Sequence, residues 1–228
     1  GGSANAFRRI HNRHRPAYRS PAQLAEDLRN IRKFCNGPIF ILGDLRQAGE
    51  AYAEEFFQHV GVDNGPVIVE LFGPASREYM QRLARTFPKF TMEISLESHS
   101  DKVRTAFGRP YTTADIEETM AHVLDAGCER LDIFFMIGLP EQDYDSVMGT
   151  VDYCEHLLER FDAGDDKRLI PFISPLAPFV DPGSDVWEDP EGHGYRLLAR
   201  TLEEHRQALV APAWKYVLNY ETKWMSRH

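Results

Sequence analysis

Apolar positions along this chain follow two alternating rhythms: short continuous runs that stop at glycine or proline, then stretches with apolar residues three and four apart. A short run rich in β-branched and aromatic residues reads as a strand covered on both faces, the usual state of a parallel sheet. Strands are predicted at 38–42, 66–72, 90–98, 130–137 and 168–174, with a last one at 215–221. Helices are predicted between them, at about 48–60, 76–86, 112–126 and 195–210. An earlier helix starts at Ser20-Pro21-Ala22-Gln23, where Ser20 caps, Pro21 occupies the first position and Gln23 completes a capping box. Leu24, Leu28, Ile31 and Cys35 mark its buried stripe, and Gly37 ends it.

The stretch from Arg130 to Tyr144, RLDIFFMIGLPEQDY, organises the rest. Its apolar run is stopped by Gly138-Leu139-Pro140, because proline has no N–H for a sheet ladder and glycine lets the backbone turn. Asp143 is placed to cap the next helix, whose stripe is Val147, Val151, Cys154, Leu158 and Phe161. Strand, glycine turn and helix make one βα unit, and parallel sheets bind ligands at the carboxyl ends of their strands.

Regular alternation of this kind indicates parallel crossovers in a barrel or a doubly wound sheet. The 90–98 strand favours the barrel. Phe90, Met92, Ile94 and Leu96 share one face, and Thr91, Glu93, Ser95 and Glu97 share the other. Helices cannot cover the polar face, so it points into a polar interior, or into solvent if this is an edge strand. A full eightfold barrel takes about 250 residues, and here a loop and a helix stand where a first strand should be. The expected fold is therefore α/β, a partial parallel (β/α) barrel lacking its first strand. Residues 1–178 are expected to form the barrel core, and 179–228 a helix-and-strand extension completing it.

Composition narrows the function. The chain of 228 residues carries a net charge of −9, which argues against a general nucleic-acid binder. No apolar run reaches the roughly 20 residues that span a bilayer, and no signal-peptide pattern opens the chain, so a cytoplasmic protein is expected. The basic run Arg8, Arg9, His11, Arg13, His14, Arg15 and Arg19 reads as a solvated loop, with phosphate or carboxylate contact the alternative. Cys35, Cys128 and Cys154 have no metal-ligand spacing and read as three buried thiols in a reducing cytosol, with no metal site among them. There is no P-loop, no His-Glu-x-x-His and no nucleophile elbow. Glu93 and Glu97 could serve as acid and base, accept hydrogen bonds from sugar hydroxyls, or be neutralised by arginines.

Two motifs nonetheless resemble one family. SLESHSDKVRTAFGRPYT (Ser95–Thr112) and FFMIGLPEQDYDSV (Phe134–Val147) are similar to consecutive strand ends of the radical S-adenosylmethionine (SAM) enzymes. ILGDL (Ile41–Leu45) sits where that family carries a Gly-Gly-Glu-like motif, here reduced to Gly43-Asp44. The resemblance covers residues 1–178. It implies a bound S-adenosylmethionine, with Gly43 and Asp44 at the amino group, Glu97 and Ser98 at the ribose hydroxyls, Arg109 at the methionine carboxylate, and Gly138, Leu139 and Pro140 flanking the adenine.

The family's first strand leads to a three-cysteine loop holding a four-iron four-sulfur (4Fe-4S) cluster, and none of the three cysteines here fits that loop. Gly1-Gly2-Ser3 is similar to the glycine-rich segment directly after the last cluster cysteine, so the chain is expected to be a piece cut at that point; an expression tag is the alternative for its first residues. The tail, FISPLAPFVDPGSDVW and PAWKYVLNYETKWM, resembles a subgroup with an upstream cobalamin-binding domain. The expectation is the core of an enzyme that in full length cleaves SAM reductively to a 5′-deoxyadenosyl radical. The alternatives are a non-catalytic binding module, or an unrelated barrel enzyme working through Glu93 and Glu97. An open barrel edge is expected to pair with another copy or to be filled by the chain's own amino-terminal segment.

Overall fold

Five parallel strands form one sheet in strict chain order: β1 (Ile39–Ile41), β2 (Val67–Leu71), β3 (Phe90–Glu97), β4 (Arg130–Met136) and β5 (Leu169–Ser174). This computed structural model describes residues 17–161, 166–174 and 180–227; the basic run from Arg8 to Arg15 lies outside them. Each strand pairs only with its neighbours in sequence, so strand order never reverses. That is the winding of a barrel wall, since a doubly wound sheet needs a switch point. The expected partial barrel is what the described residues form, with β1 and β5 as its open edges.

Helix α1 (Pro21–Arg32) precedes the sheet, and α2 (Glu50–Val60), α3 (Arg77–Thr86), α4 (Asp101–Ala106), α5 (Thr113–Asp125) and α6 (Tyr144–Phe161) supply the crossovers. The capping box expected at Ser20 and Gln23 is present. The core is the strands' outward row against these helices: Phe90, Met92, Ile94 and Leu96 of β3 are each at most 1% exposed and pack with Phe56, Phe57, Met80 and Phe87. The alternation in β3 thus sorts a dry face from a polar one, as its sequence suggests.

On the polar face, register places three carboxylates side by side: Glu70 of β2 opposite Glu93, and Glu93 opposite Asp132 of β4. Burial, then Glu70, then Asp132 push the Glu93 carboxyl above its ordinary value, against a smaller pull from Arg130. A raised carboxyl holds its proton in the folded state where the unfolded chain has released it. Stability from this group is therefore complete below the ordinary carboxylate range and is lost as pH climbs through the folded group's higher value. Glu93→Gln should remove that loss, so its melting temperature should gain on the parent between about pH 5 and about pH 8. A constant difference across that range would show that the row does not interact.

Three expectations need correcting. First, α6 is rotated: Thr150, Cys154 and Leu157 are buried, whereas Val151 is 46% and Leu158 36% exposed. Leu157 and Cys154 pack into the main core, and on the same face His99 Nδ1 lies 3.0 Å from the Thr150 hydroxyl. Its Nε2 would stand 2.9 Å from a Cβ on Gly149. The missing side chain lets the imidazole lie on the helix beside Thr150. Second, Cys35 is exposed beyond the end of α1, and Ile31 is largely exposed, so only Cys128 and Cys154 are buried thiols.

Third, the expected 195–210 helix starts as β6 (Tyr195–Leu197), and α8 (Leu202–Leu209) begins only after Thr201, which forms a capping box with Glu204. A short α7 (Asp185–Glu188) precedes them. The expected 215–221 strand is a 3-10 turn (Trp214–Tyr216) followed by β7 (Tyr220–Thr222). β7 pairs antiparallel with β6, in a ribbon separate from the parallel sheet. Val180, Tyr195 and Tyr220 give this ribbon its own small core. Among the described residues no helix is long and apolar enough to cross a membrane.

Candidate functional site

The turns at the carboxyl ends of β1 to β4 are bonded to one another in series. After β1, Gly43 takes a φ of 88°, and its N–H donates to Glu70 Oε2 at 2.5 Å. Asp44, only 7% exposed, caps the 3-10 turn Leu45–Ala48. Its carboxylate accepts from the Arg46 N–H, from Arg46 Nε and Nη2 (3.0 and 2.6 Å), and from the Phe72 N–H beyond β2 (3.2 Å). Arg46 also donates to the carbonyls of Gly73 and Pro74, which fixes the first turn to the second.

The next link is Arg109. Its Nη1 donates to Phe72 O at 2.6 Å and its Nη2 to Glu97 Oε1 at 2.8 Å. Glu97 ends β3 at an irregularity in register and takes a φ of 70°, in the left-handed region that costs a non-glycine residue about 1–3 kcal/mol. Burial pushes its carboxyl up, and Arg109 opposes that through charge and hydrogen bond. Ser98, fully buried, accepts at Oγ from the Ser100 N–H. The last link is Lys102, whose Nζ lies 2.8 Å from Glu141 Oε2 beyond β4.

The β4 turn is held by one side chain. Gln142, 1% exposed, accepts at Oε1 from the Gly138 N–H (2.7 Å) and the Leu139 N–H (3.1 Å), and its Nε2 donates to Met136 O (2.9 Å). Leu139 is buried, Pro140 is half-buried, and the Gly138 carbonyl accepts from the Tyr195 hydroxyl at 3.1 Å. Gly43, Asp44, Glu97, Ser98, Arg109, Gly138, Leu139 and Pro140 thus occupy the turns after β1, β3 and β4 on one rim, with the turn after β2 bridging the first two. The structure pairs two of them with each other, Glu97 and Arg109, and it gives Asp44 to Arg46. Glu93 stands lower, within the row of carboxylates.

Three rim residues escaped the sequence reading. Arg104 is wholly buried. Its guanidinium donates to Ser98 O (2.7 Å), Tyr111 O (3.3 Å), Thr113 Oγ1 (3.0 Å) and Asp101, so it ties the loop that carries Arg109 to the end of β3. Its spacing from Asp101, three residues on a helix, was the available signal. Gln142 follows the Gly-Leu-Pro turn directly. Tyr111 lies two residues beyond Arg109, and its hydroxyl is buried with no hydrogen-bond partner among the described residues. Its ring lies under the Arg104 guanidinium and beside Gly73, where an added Cβ would come within 3.8 Å of it.

A rim with a buried carboxylate, a neighbouring guanidinium, an unpaired hydroxyl and two glycine turns suits a ligand bearing hydroxyl, ammonium and carboxylate groups. An iron-sulfur cluster does not fit these residues. Cys128 and Cys154 are pushed up to about 11 by burial, Cys35 lies apart from them, and no group of His, Cys, Asp or Glu among the described residues is placed to hold a metal.

Comparison with known proteins agrees with the fold. Two structures of TsrM from Kitasatospora setae, a radical S-adenosylmethionine methyltransferase, superpose on the chain. The one with cobalamin and a [4Fe-4S] cluster bound does so over 80% of this chain and 34% of its own, at TM-score 0.61 and 12% identity. The one with tryptophan substrate and the SAM analogue aza-SAM covers 68% and 30%, at TM-score 0.54 and 14% identity. Coproporphyrinogen III oxidase (HemN) from Escherichia coli, a radical SAM enzyme, covers 81% and 48% at TM-score 0.44 and 14% identity. The chain therefore spans about a third of the length of the TsrM structures. No curated protein matches it. Residues 6–154 match the model of the Radical SAM superfamily, and with that match over most of the chain, on a wall of parallel strands wound in one direction, the protein belongs to the radical SAM superfamily.

Proposed function

We propose that this chain is the cofactor-holding barrel wall of a radical SAM enzyme, and that S-adenosylmethionine lies on the rim built by the turns after β1 to β4. The observation that carries the reading is the Glu97–Arg109 pair, set between the β2 and β3 turns. Glu97 and Ser98 would take the ribose hydroxyls, Arg109 the methionine carboxylate, Gly43 and Asp44 the ammonium, and Gly138, Leu139 and Pro140 the adenine. The full-length protein would cleave this cofactor reductively to a 5′-deoxyadenosyl radical, with its cluster held by cysteines other than the three in this chain.

An upstream cobalamin-binding domain belongs to the same proposal, supported by the tail motifs and by the cobalamin-bound TsrM structure. The division into a barrel core over 1–178 and an extension over 179–228 also belongs to it. Three free thiols suit a cytoplasmic location. At the open β1 edge Leu42 is 81% exposed, and Phe40 and Ile31 are 44% exposed each, which supports self-association there. No observation favours an unrelated barrel enzyme using Glu93 and Glu97, since residues 6–154 match the Radical SAM superfamily.

The test is calorimetric titration with S-adenosylhomocysteine. Glu97→Ala should weaken binding by about 1–3 kcal/mol, the scale of a lost buried polar partner. Unchanged affinity would remove Glu97 from the cofactor site, and no binding to the parent protein would remove the rim itself.

A further inference from the structure

A cavity of about 240 Å³ separates the end of β4 from the C-terminal ribbon. Its volume lies just below the usual small-molecule range of about 300–1,000 Å³, which suits an occupant of amino-acid size. One wall is Ile137 and Gly138, the second of these on the rim already described; Leu218 and Met225 form apolar surface opposite, and Lys215 and Arg227 also line it. We infer that this cavity is a substrate subsite for a small carboxylate carried on an apolar body.

The cations carry the argument. Lys215 Nζ and the Arg227 guanidinium both lie over the ring of Tyr216, at 5.1 and 5.5 Å. Arg227 Nε is buried with no hydrogen-bond partner among the described residues, and Nη1 reaches only Leu218 O, at 3.5 Å. That contact is at the outer limit of a hydrogen bond. The carboxylate lining the cavity, Glu221, pairs with Arg196 and accepts from the Arg227 backbone N–H at 3.3 Å; the Arg227 charge also acts on it through space, without a hydrogen bond from the guanidinium. A guanidinium with one buried N–H lacking an acceptor and a second only weakly bound is stabilised by a planar oxygen pair, which a carboxylate presents and an alcohol does not. The apolar walls then accommodate the rest of the molecule.

Calling the ligand a substrate rests on the reading of the rim as the cofactor site, since Gly138 belongs to both. The position beside Gly138 puts the occupant next to the cofactor and not in its place.

The experiment uses the whole chain with 3-phenylpropionate, 3-phenylpropanol and inorganic phosphate as probes, and S-adenosylhomocysteine in parallel, all by calorimetry. Binding of 3-phenylpropionate over the alcohol and over phosphate is expected. Arg227→Gln should weaken it at least about tenfold, the effect of losing a charged hydrogen bond. Lys215→Gln should weaken it less, and Arg227→Lys should recover part of the loss. S-adenosylhomocysteine affinity and the melting temperature should stay at the parent values in all three variants. Equal binding of the alcohol, binding of phosphate alone, no binding of any probe, or an Arg227→Gln variant that binds like the parent would each overturn the subsite. If S-adenosylhomocysteine fails to bind while the carboxylate behaves as expected, the cavity stands as a carboxylate site and the cofactor reading falls.

Discussion

Arg104→Ala is expected to destabilise the protein by about 3–5 kcal/mol, the usual cost of removing one partner from a buried charged network. Arg104 has no exposed surface. Its loss would strand the carbonyls of Ser98 and Tyr111 and leave a side-chain-sized hole between α4 and the loop after it. Arg104→Lys should recover little, because an ammonium cannot reach Ser98, Tyr111 and Thr113 from one position as the planar guanidinium does. Urea denaturation checks both variants. A loss under about 1 kcal/mol for alanine would show that water replaces the guanidinium at little cost. The same variant should lose S-adenosylhomocysteine binding more than Glu97→Ala does, since Arg109 rides on the loop that Arg104 holds.

The second large effect belongs to Gln142. Gln142→Ala is expected to cost about 2–4 kcal/mol, because it deprives two buried amides and one carbonyl of their partners at once. Gln142→Glu separates the parts. Its carboxylate still accepts from Gly138 and Leu139 but sets an oxygen against the Met136 carbonyl. The glutamate variant should therefore sit between alanine and parent at neutral pH, and approach the parent as acid restores a donor. Denaturation at two pH values reads this. Equal stability of the alanine variant and the parent would mean that the turn keeps its shape without the side chain.

Much of the fold was legible in the sequence, and the rest was hidden for identifiable reasons. Strand positions were readable because buried parallel strands are apolar runs cut by glycine, as at Gly43, Gly73 and Gly138. The inward and outward rows of β3 were readable from Phe90 to Leu96 because alternation has a period of two, and they end at the register irregularity before Glu97. The α6 stripe, read as Val147, Val151, Cys154, Leu158 and Phe161, was right at Cys154 and Phe161 and misread at Val151 and Leu158, because three- and four-residue spacing also fits the overlapping face Thr150-Cys154-Leu157. Long-range packing selects the second: Leu157 and Cys154 enter the main core, and His99, 51 residues away in sequence, meets Thr150. The C-terminal helix was begun too early because Tyr195, Leu197 and Leu198 keep a helical rhythm, although the capping box at Thr201 and Glu204 was there to be read. In the site, glycine turns announced the rim. Arg104 looks like any charged residue on a short helix until long-range packing buries it.

The rim's geometry has a consequence for redesign. The side chains that give the turns their shape, Arg46, Glu70, Arg104 and Gln142, spend hydrogen bonds on backbone groups of their own or a neighbouring turn. Shape and ligand contact are thereby assigned largely to different residues. Residues facing the ligand can be exchanged one at a time with the frame intact, whereas one change among the frame residues moves several ligand contacts together. A programme that alters what this protein accepts would hold those four positions constant and vary the side chains that the turns present.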